Sequence, residues 1–335
     1  MPALLETSAD ALAPLIGGTG RARTVWKALR RGDDPLLSPS LSPRVRQKLA
    51  ATTTRTVLDV TQRRQAADGT SKFLLVLHDG HAIEMVSMSG RDRTTLCVST
   101  QVGCAHRCAF CVTGTLGLRR NLSAAEIVAQ VHRAVAAVRD AGAAPLRNVV
   151  FMGMGEPLDN LPAVTLACRL LTDPHGMALA PRHLTLSTVG TSPKAIREAA
   201  RAEVHLAWSL HAAEDGLRRQ LVPGARHTTA ELRDAFVLTR RPGDHLFVEI
   251  ALIAGVNDSL ACADAVVELL RPLHDRARVN LLPANRGMPG CEPSSSERVQ
   301  SYQQRLRTAG LFCMVRRARG VELDAACGQL AARLP

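Results

Sequence analysis

The apolar positions of this 335-residue chain follow two rhythms. Up to about residue 60 they recur at helical spacing, in short pieces. Val25, Trp26 and Leu29 are the apolar members of one basic stretch, Arg21 to Arg31 (RARTVWKALRR). Ser38, Pro39, Ser40 and Pro43 interrupt the pattern, and VRQKLAA from Val45 restarts it. From Lys72 the period shortens to two. FLLVLHDG and HAIEMVSM alternate as strands do, with Asp79-Gly80 as a hairpin signal between them. This ribbon feeds a cysteine-rich segment. A strand–helix rhythm then sets in. Ser123-Ala-Ala-Glu126 is a capping box that opens a helix to about Asp140. Apolar runs around Val149 (RNVVFMG) and Leu186 (LTLSTVG), and from Val204 (VHLAWSLHA), Leu246 (LFVEIALI), Arg278 (RVNLLPAN) and Phe312 (FCMVRRA), predict strands. Helices are expected from about Ser192, from near Asp258 and over Ser294 to Ala309. With a strand before Cys104 the rhythm gives about six βα units, short of the eight of a closed barrel. The pattern predicts an α/β protein, an open or partial (βα)6 barrel behind a small helical unit.

Composition sharpens this picture in two places. Aromatic residues are only 3% of a chain that is 46% hydrophobic, so Ala, Val and Leu must build the core. Net charge is +12, with a pI near 10.0. A globular protein this basic suits a polyanionic partner, RNA or DNA. The bland alternative is charge without a partner. The basic helical unit reads equally as a nucleic-acid clamp or as a solvated cap on the core. Nine cysteines, four of them within residues 97–111, do not make a secreted disulfide framework and suit a reducing compartment with a metal site. MPALLETSADALAPLIGG lacks a basic n-region, and no apolar run approaches the ~18 residues of a membrane span. A cytoplasmic, membrane-free protein is expected.

The candidate chemistry centres on LCVSTQVGCAHRCAFCVTGTLGLRR. Cys104, Cys108 and Cys111 stand in C-x3-C-x2-C spacing, with Phe110 before the last. Three thiolates in eight residues can wrap an inorganic centre, but a structural zinc takes four protein ligands and an ordinary cubane cluster four cysteines. An iron left without a protein ligand can bind a small molecule directly. The spacing therefore resembles that of radical S-adenosylmethionine (SAM) enzymes. The competing reading is a zinc knuckle completed by His106 or a distant residue. Polar punctuation falls after the strands, where parallel βα proteins gather function. Gly155-Glu156 follows the Val149 strand. Ser187-Thr188 ends the next, Ser209-Leu210-His211 the one after, and Asn285 follows the Arg278 strand. A lone histidine such as His211 is more often a hydrogen-bonded core residue than a catalyst. Cys327 follows the last strand and should emerge on the same rim. Cys97, before the cluster loop, should face the same space.

Taken together, LCVSTQVGCAHRCAFCVTG, GLRRNLSAAEIVAQV, FMGMGEPLDN, LTLSTVG, SLHA, GVND, VNLLPAN and DAACGQL resemble the RlmN/Cfr family of radical-SAM adenine methyltransferases over nearly the whole chain. The resemblance implies a partial (βα)6 radical-SAM barrel with a small N-terminal helical accessory domain. Its parts would be an accessory domain over 1–70, a β-ribbon linker over 71–89, a radical-SAM core over 90–321 and a C-terminal segment over 322–335. It implies a [4Fe-4S] cluster on Cys104, Cys108 and Cys111, and SAM held by Gly155, Glu156, Ser187, Ser209, Leu210, His211 and Asn285. Cys327 would carry the transferred methyl, Cys97 would pair transiently with Cys327, and Glu84 would accept a proton. Without the family, Glu84 reads as an exposed strand carboxylate. The implied substrate is an adenine of 23S ribosomal RNA, methylated at C2, with transfer RNA as a second substrate. The Cfr branch, methylating C8, is the alternative, and a non-catalytic basic zinc-type RNA-binding protein a more distant one. A monomer served by a flavodoxin- or ferredoxin-type electron donor is expected. Two features depart from the RlmN pattern: Trp208 before SLH, and Arg319-Gly-Val-Glu322 before DAACGQL.

Overall fold

The structure, a computed structural model, describes residues 1–56, 58–241, 243–285 and 291–332. Three helices open the chain: α1 (Ala9–Ile16), α2 (Thr19–Arg30) and α3 (Pro43–Thr52). Ser8 and Ser42 cap the first and third, accepting from the backbone amides of Ala11 and Val45. Trp26 is fully buried with Leu12, Ile16 and Leu49, and its indole N–H donates to the Thr7 carbonyl at 3.2 Å. This unit sits on the barrel's outer helices. Arg30 donates to the carbonyls of Pro174 and Gly176, and Glu6 accepts from the Ala125 amide. It is a cap on the core, and Arg23, Lys27, Arg44 and Lys48 stand on its exposed side.

A meander follows: β1 (Asp59–Gln65), β2 (Thr70–Val76), β3 (Ala82–Ser89) and β4 (Thr94–Cys97), each antiparallel to the one before. β1 corrects the expectation that residues up to 70 are helical. All seven of its residues are exposed, so no period-two alternation marks it in the sequence. β5 (Gln101–Val102) and β6 (Arg120–Asn121) pair as a two-residue ladder that brackets the cysteine loop and the short α4 (Val112–Thr115). The barrel then runs α5 (Ala124–Asp140), β7 (Leu146–Phe151), α6 (Leu161–Thr172), β8 (Leu184–Thr188), α7 (Pro193–Ala199), β9 (His205–Ser209), α8 (Asp215–Leu221), α9 (Thr229–Leu238), β10 (Leu246–Leu252), α10 (Leu260–Leu270), β11 (Ala277–Pro283), α11 (Ser296–Thr308) and β12 (Phe312–Val315).

The sheet order is β1-β2-β3-β4-β7-β8-β9-β10-β11-β12. Every pairing from β4 to β12 is parallel, so seven strands are joined by six helical crossovers and the barrel stays open. Leu96, Val149, Leu186, Val248, Val279 and their neighbours are fully buried along these strands and join the N-terminal unit in one continuous core. Since parallel strands all point one way, their C-terminal ends form one rim. No described helix is long and apolar enough to cross a membrane.

Candidate active site

The chain leaves β4 at Cys97 and is fixed residue by residue before it reaches the cysteine loop. The Gln130 side chain of α5 brackets Ser99, accepting from its N–H and donating to its carbonyl, both at 2.9 Å. Asn160 donates to the carbonyls of Thr100 and Leu122 at 2.8 Å. The Gln101 side chain accepts from the Glu156 amide at 2.9 Å, tying the loop to the end of β7. Cys104 is buried, and Cys108 and Cys111 are half-buried. Burial pushes the Cys104 thiol up to about 12 and raises Cys108 too, and the neighbouring thiols add to both shifts. A thiol ligates only as thiolate, so uptake of a metal centre here displaces protons.

A zinc knuckle completed by His106, rather than by a distant residue, needs that ring to turn toward the thiols. Instead its Nε2 meets Asp159 Oδ2 at 2.8 Å, and its Nδ1 is buried against Gly224 without a partner. Burial depresses its basicity, but the Asp159 bond and the Glu156 charge outweigh that and leave it raised. Among the described residues, no three His, Cys, Asp or Glu side chains converge on a single metal ion. Three soft sulfur donors on one loop, with the histidine turned aside, fit a multi-iron centre that leaves one corner to a ligand.

The strand ends beside this loop are built from sequence-predicted residues. Gly155 has φ +102°, and a Cβ there would lie 2.6 Å from the Gln101 side chain, so only glycine fits. Glu156 is buried and raised by that burial, and its carboxylate accepts from the amides of Leu158 and Val189 at 3.0 Å. Its side chain thus holds the ends of β7 and β8 together. Ser187 and Ser209, at the ends of adjacent strands, share a 3.1 Å hydrogen bond. Leu210 is fully buried. His211 adopts φ +61°, accepts at Nδ1 from the Ala251 amide at 3.1 Å, and lies 4.2 Å from the Phe110 ring. Burial, helped by Arg218, holds its pKa down to about 3, so it is a neutral ring with its proton on Nε2. Asn257, a residue of the GVND stretch with no role assigned from sequence, donates to the carbonyls of His211 and Ala251 at 2.7 Å. Trp208 faces away, packed on Phe236.

The C-terminal segment closes over this rim as a strap. Asn285 donates to the Cys327 carbonyl at 3.1 Å. The Val112 amide donates to the Gly328 carbonyl at 2.6 Å, and Thr113 Oγ1 to the Leu330 carbonyl at 2.6 Å, so α4 grips the strap beside Cys111. Glu84 is buried, not exposed: Oε1 pairs with Lys72 Nζ at 2.9 Å and Oε2 accepts from the Ala331 amide at 2.9 Å. Lys72 also reaches the Asp324 carbonyl at 3.1 Å. Cys327 is exposed, and the charged groups and thiols near enough to act on it are Glu249, Cys111, Arg316 and Cys97. Desolvation by the surrounding chain and the Glu249 charge raise its thiol to about 11. Burial and the nearby Cys327 raise Cys97 as well. Both are free thiols. Sequence reasoning misses Lys72, Asn257 and Arg218, because each acts through a contact distant in the chain or through a turn.

An open parallel barrel with three cysteines after its first parallel strand defines the radical SAM class. The Radical SAM superfamily model matches residues 98–261. A crystal structure of a radical SAM methyltransferase from Sphaerobacter thermophilus is 40% identical, superimposes with a TM-score of 0.90, and covers 99% of this chain and 100% of that one. A dual-specificity RNA methyltransferase RlmN from Syntrophobacter fumaroxidans is 46% identical over 82% of this chain and 80% of its own length. One from an Anaeromyxobacter species is 41% identical over 99% and 91%. The chain belongs to the RlmN family of dual-specificity RNA methyltransferases.

Proposed function

We propose that this protein methylates carbon 2 of an adenine in 23S ribosomal RNA, with transfer RNA as a second substrate, through a methyl group carried on Cys327. The observation that carries the reading is the convergence of Cys97, Cys327 and the cysteine loop on one rim, from opposite ends of the barrel sequence. A [4Fe-4S] cluster on Cys104, Cys108 and Cys111, with SAM at Gly155, Glu156, Ser187, Ser209, Leu210, His211 and Asn285, would supply the methyl group and a 5′-deoxyadenosyl radical. The chain's own residues do the rest. Cys327 loses its proton and accepts the methyl as a thioether. The strap holds that carbon against the rim, and the neutral His211 and Phe110 wall the space. An adenine carbon bound to hydrogen is too electron-poor to attack an ordinary methyl donor. Loss of a hydrogen from the Cys327 methyl to the 5′-deoxyadenosyl radical would leave a carbon able to bond to it. The ring carbon, now sp3, must then lose its proton to restore aromaticity. Glu84 accepts it. Cys97 then gives up its proton and attacks the Cys327 sulfur, and the carbon–sulfur bond breaks toward the RNA. The released carbon takes up a proton to become the methyl group, and a Cys97–Cys327 disulfide remains. The adduct's one surplus electron would pass back to the electron-carrier system. An external thiol or protein reductant resets it. The electron for each turnover comes from a flavodoxin- or ferredoxin-type carrier.

Two measurements test this. Mass mapping of RNA treated with the reconstituted enzyme should place the methyl on adenine C2. A methyl on C8 would move the chain to the Cfr-type activity. Cys97→Ala should load the methyl and form the carbon–carbon bond, then stall as a protein–RNA adduct. The adduct should survive denaturant and thiol reductant, because a thioether resists both. Free methylated RNA from Cys97→Ala at the wild-type rate would remove Cys97 from the reaction.

A further inference from the structure

Arg218 acts on His211 through its charge, but the proposed reaction gives it no part of its own. It lies on α8, which is packed directly against the cysteine loop. The Ala109 amide, between Cys108 and Cys111, donates to the Leu221 carbonyl at 2.9 Å, and the Gly224 amide donates to the His106 carbonyl at 3.2 Å. Leu221 and Val222, one turn on from Arg218, share a small apolar cluster with Cys108, Phe110 and Val112. Arg218 itself is only 1% exposed. Nε donates to the Leu210 carbonyl at 3.2 Å and Nη2 to the Val189 carbonyl, both at the ends of barrel strands. Nη1 is buried with no partner at all.

A guanidinium buried in this way is costly unless something compensates it. Among the described residues no carboxylate stands within ion-pair distance of Arg218. The acids that feel its charge, Asp215 and Glu156, are each engaged elsewhere: Asp215 accepts from the Thr229 amide, and Glu156 from the amides of Leu158 and Val189. Burial brings Arg218 down only to about 10, so it remains a cation at neutral pH. Its field reaches Cys108, His106 and His211. The charge is therefore built in before its counter-ion arrives.

We propose that Arg218 is the counter-charge of the three-cysteine site, placed to balance the negative charge that Cys104, Cys108 and Cys111 acquire on binding an iron–sulfur centre and to make that centre easier to reduce. This inference rests on the iron–sulfur reading of the preceding subsection. Three thiolates give the bound centre net negative charge, and one-electron reduction by the external carrier adds another. A fixed positive charge in a low-dielectric setting favours the more negative state. Arginine suits the place better than lysine, because two arms of its fork hold the strand ends while the third stays buried and unpaired.

The test compares Arg218→Gln, which keeps hydrogen-bonding capacity but loses the charge, with Arg218→Lys, which keeps the charge but loses the fork. Each is reconstituted anaerobically. Iron and sulfide are counted, and the reduction equilibrium is titrated by the cluster's absorbance and electron paramagnetic resonance signal. Arg218→Gln should be at least tenfold harder to reduce than wild type, a fall of ~59 mV for a one-electron couple. Arg218→Lys should recover most of that difference. If Arg218→Gln fails to hold iron while Arg218→Lys holds it, charge is needed for assembly and the proposal stands. Equal potentials in wild type and Arg218→Gln overturn it. So does iron loss in both variants, which would make the fork, not the charge, the essential part. Wild-type protein that takes up zinc, or no iron, would instead overturn the underlying cluster reading.

Discussion

His211 is held neutral at neutral pH, and that has a consequence for stability. Its folded pKa, held to about 3 by burial, lies below the ~6.5 of an unfolded histidine. Between those values the unfolded chain binds more protons, so stability rises with pH across that window. The contribution is complete above about pH 6.5 and is lost on acidification at ~1.4 kcal/mol per unit. Asparagine can offer an amide oxygen to the Ala251 amide in place of Nδ1, without the titration. His211→Asn should therefore be less stable than wild type at pH 7.5, and the gap should narrow by about 1–2 kcal/mol at pH 5. Urea unfolding of iron-free protein at the two pH values measures this. A gap that does not change with pH would mean that His211 titrates normally.

At the scale of elements, the strap is held by hydrogen bonds from Asn285, from Val112 and Thr113 on α4, from Glu84 on β3 and from Lys72 on β2. Gly328 is where it bends. It has φ +81°, and a Cβ would stand 2.7 Å from the Phe110 carbonyl. Gly328→Ala should cost the docked strap ~1–3 kcal/mol through backbone strain and that clash. Amide exchange over residues 320–332 should quicken, while exchange in the barrel strands stays as it was. Slower or unchanged exchange in the strap would show that its docking does not depend on this turn. The strap also shows where sequence stops being legible. Parallel strands and their rim follow from apolar runs and the polar residues that end them, so β7 to β12 are readable. The Ser123–Glu126 capping box announces α5. Thr228–Glu231 is an equally good one for α9, but it falls outside the strand–helix rhythm of the apolar runs. β1 has no buried face to betray it. Glu84 looks exposed in sequence because its partners, Lys72 and Ala331, come from a neighbouring strand and from the other end of the chain. Arg218 is silent because a buried cation and a solvated one have the same letter.

For the molecule as a whole, the +12 charge is spread unevenly in its usefulness. Arg30 is engaged by backbone carbonyls and Arg31 by Asp33, so neither is a clean probe of RNA binding. Arg23 and Lys27 stand exposed on the outer side of the N-terminal cap. Substituting both by Glu should weaken RNA binding at low salt. It should also reduce the slope of log affinity against log salt by about one unit for each phosphate no longer neutralised. Filter binding across a salt series gives the slope. An unchanged slope would take the cap off the RNA-binding surface.

A barrel that never closes has two free margins, and each is a template onto which another chain could add a strand. β1 ends the sheet on one side and β12 on the other. At the first margin Arg63 lies over the Phe73 ring, 5.3 Å from its centroid, and at the second Arg278 lies over Phe312 at 5.1 Å. Phe312 and Met314 are exposed on β12, so that margin would be adhesive if left bare. The same opening leaves the sheet with edges at which edge-to-edge aggregation can start. At each margin an arginine seated on an aromatic ring puts a positive charge on or beside the edge strand, where an added strand would have to approach.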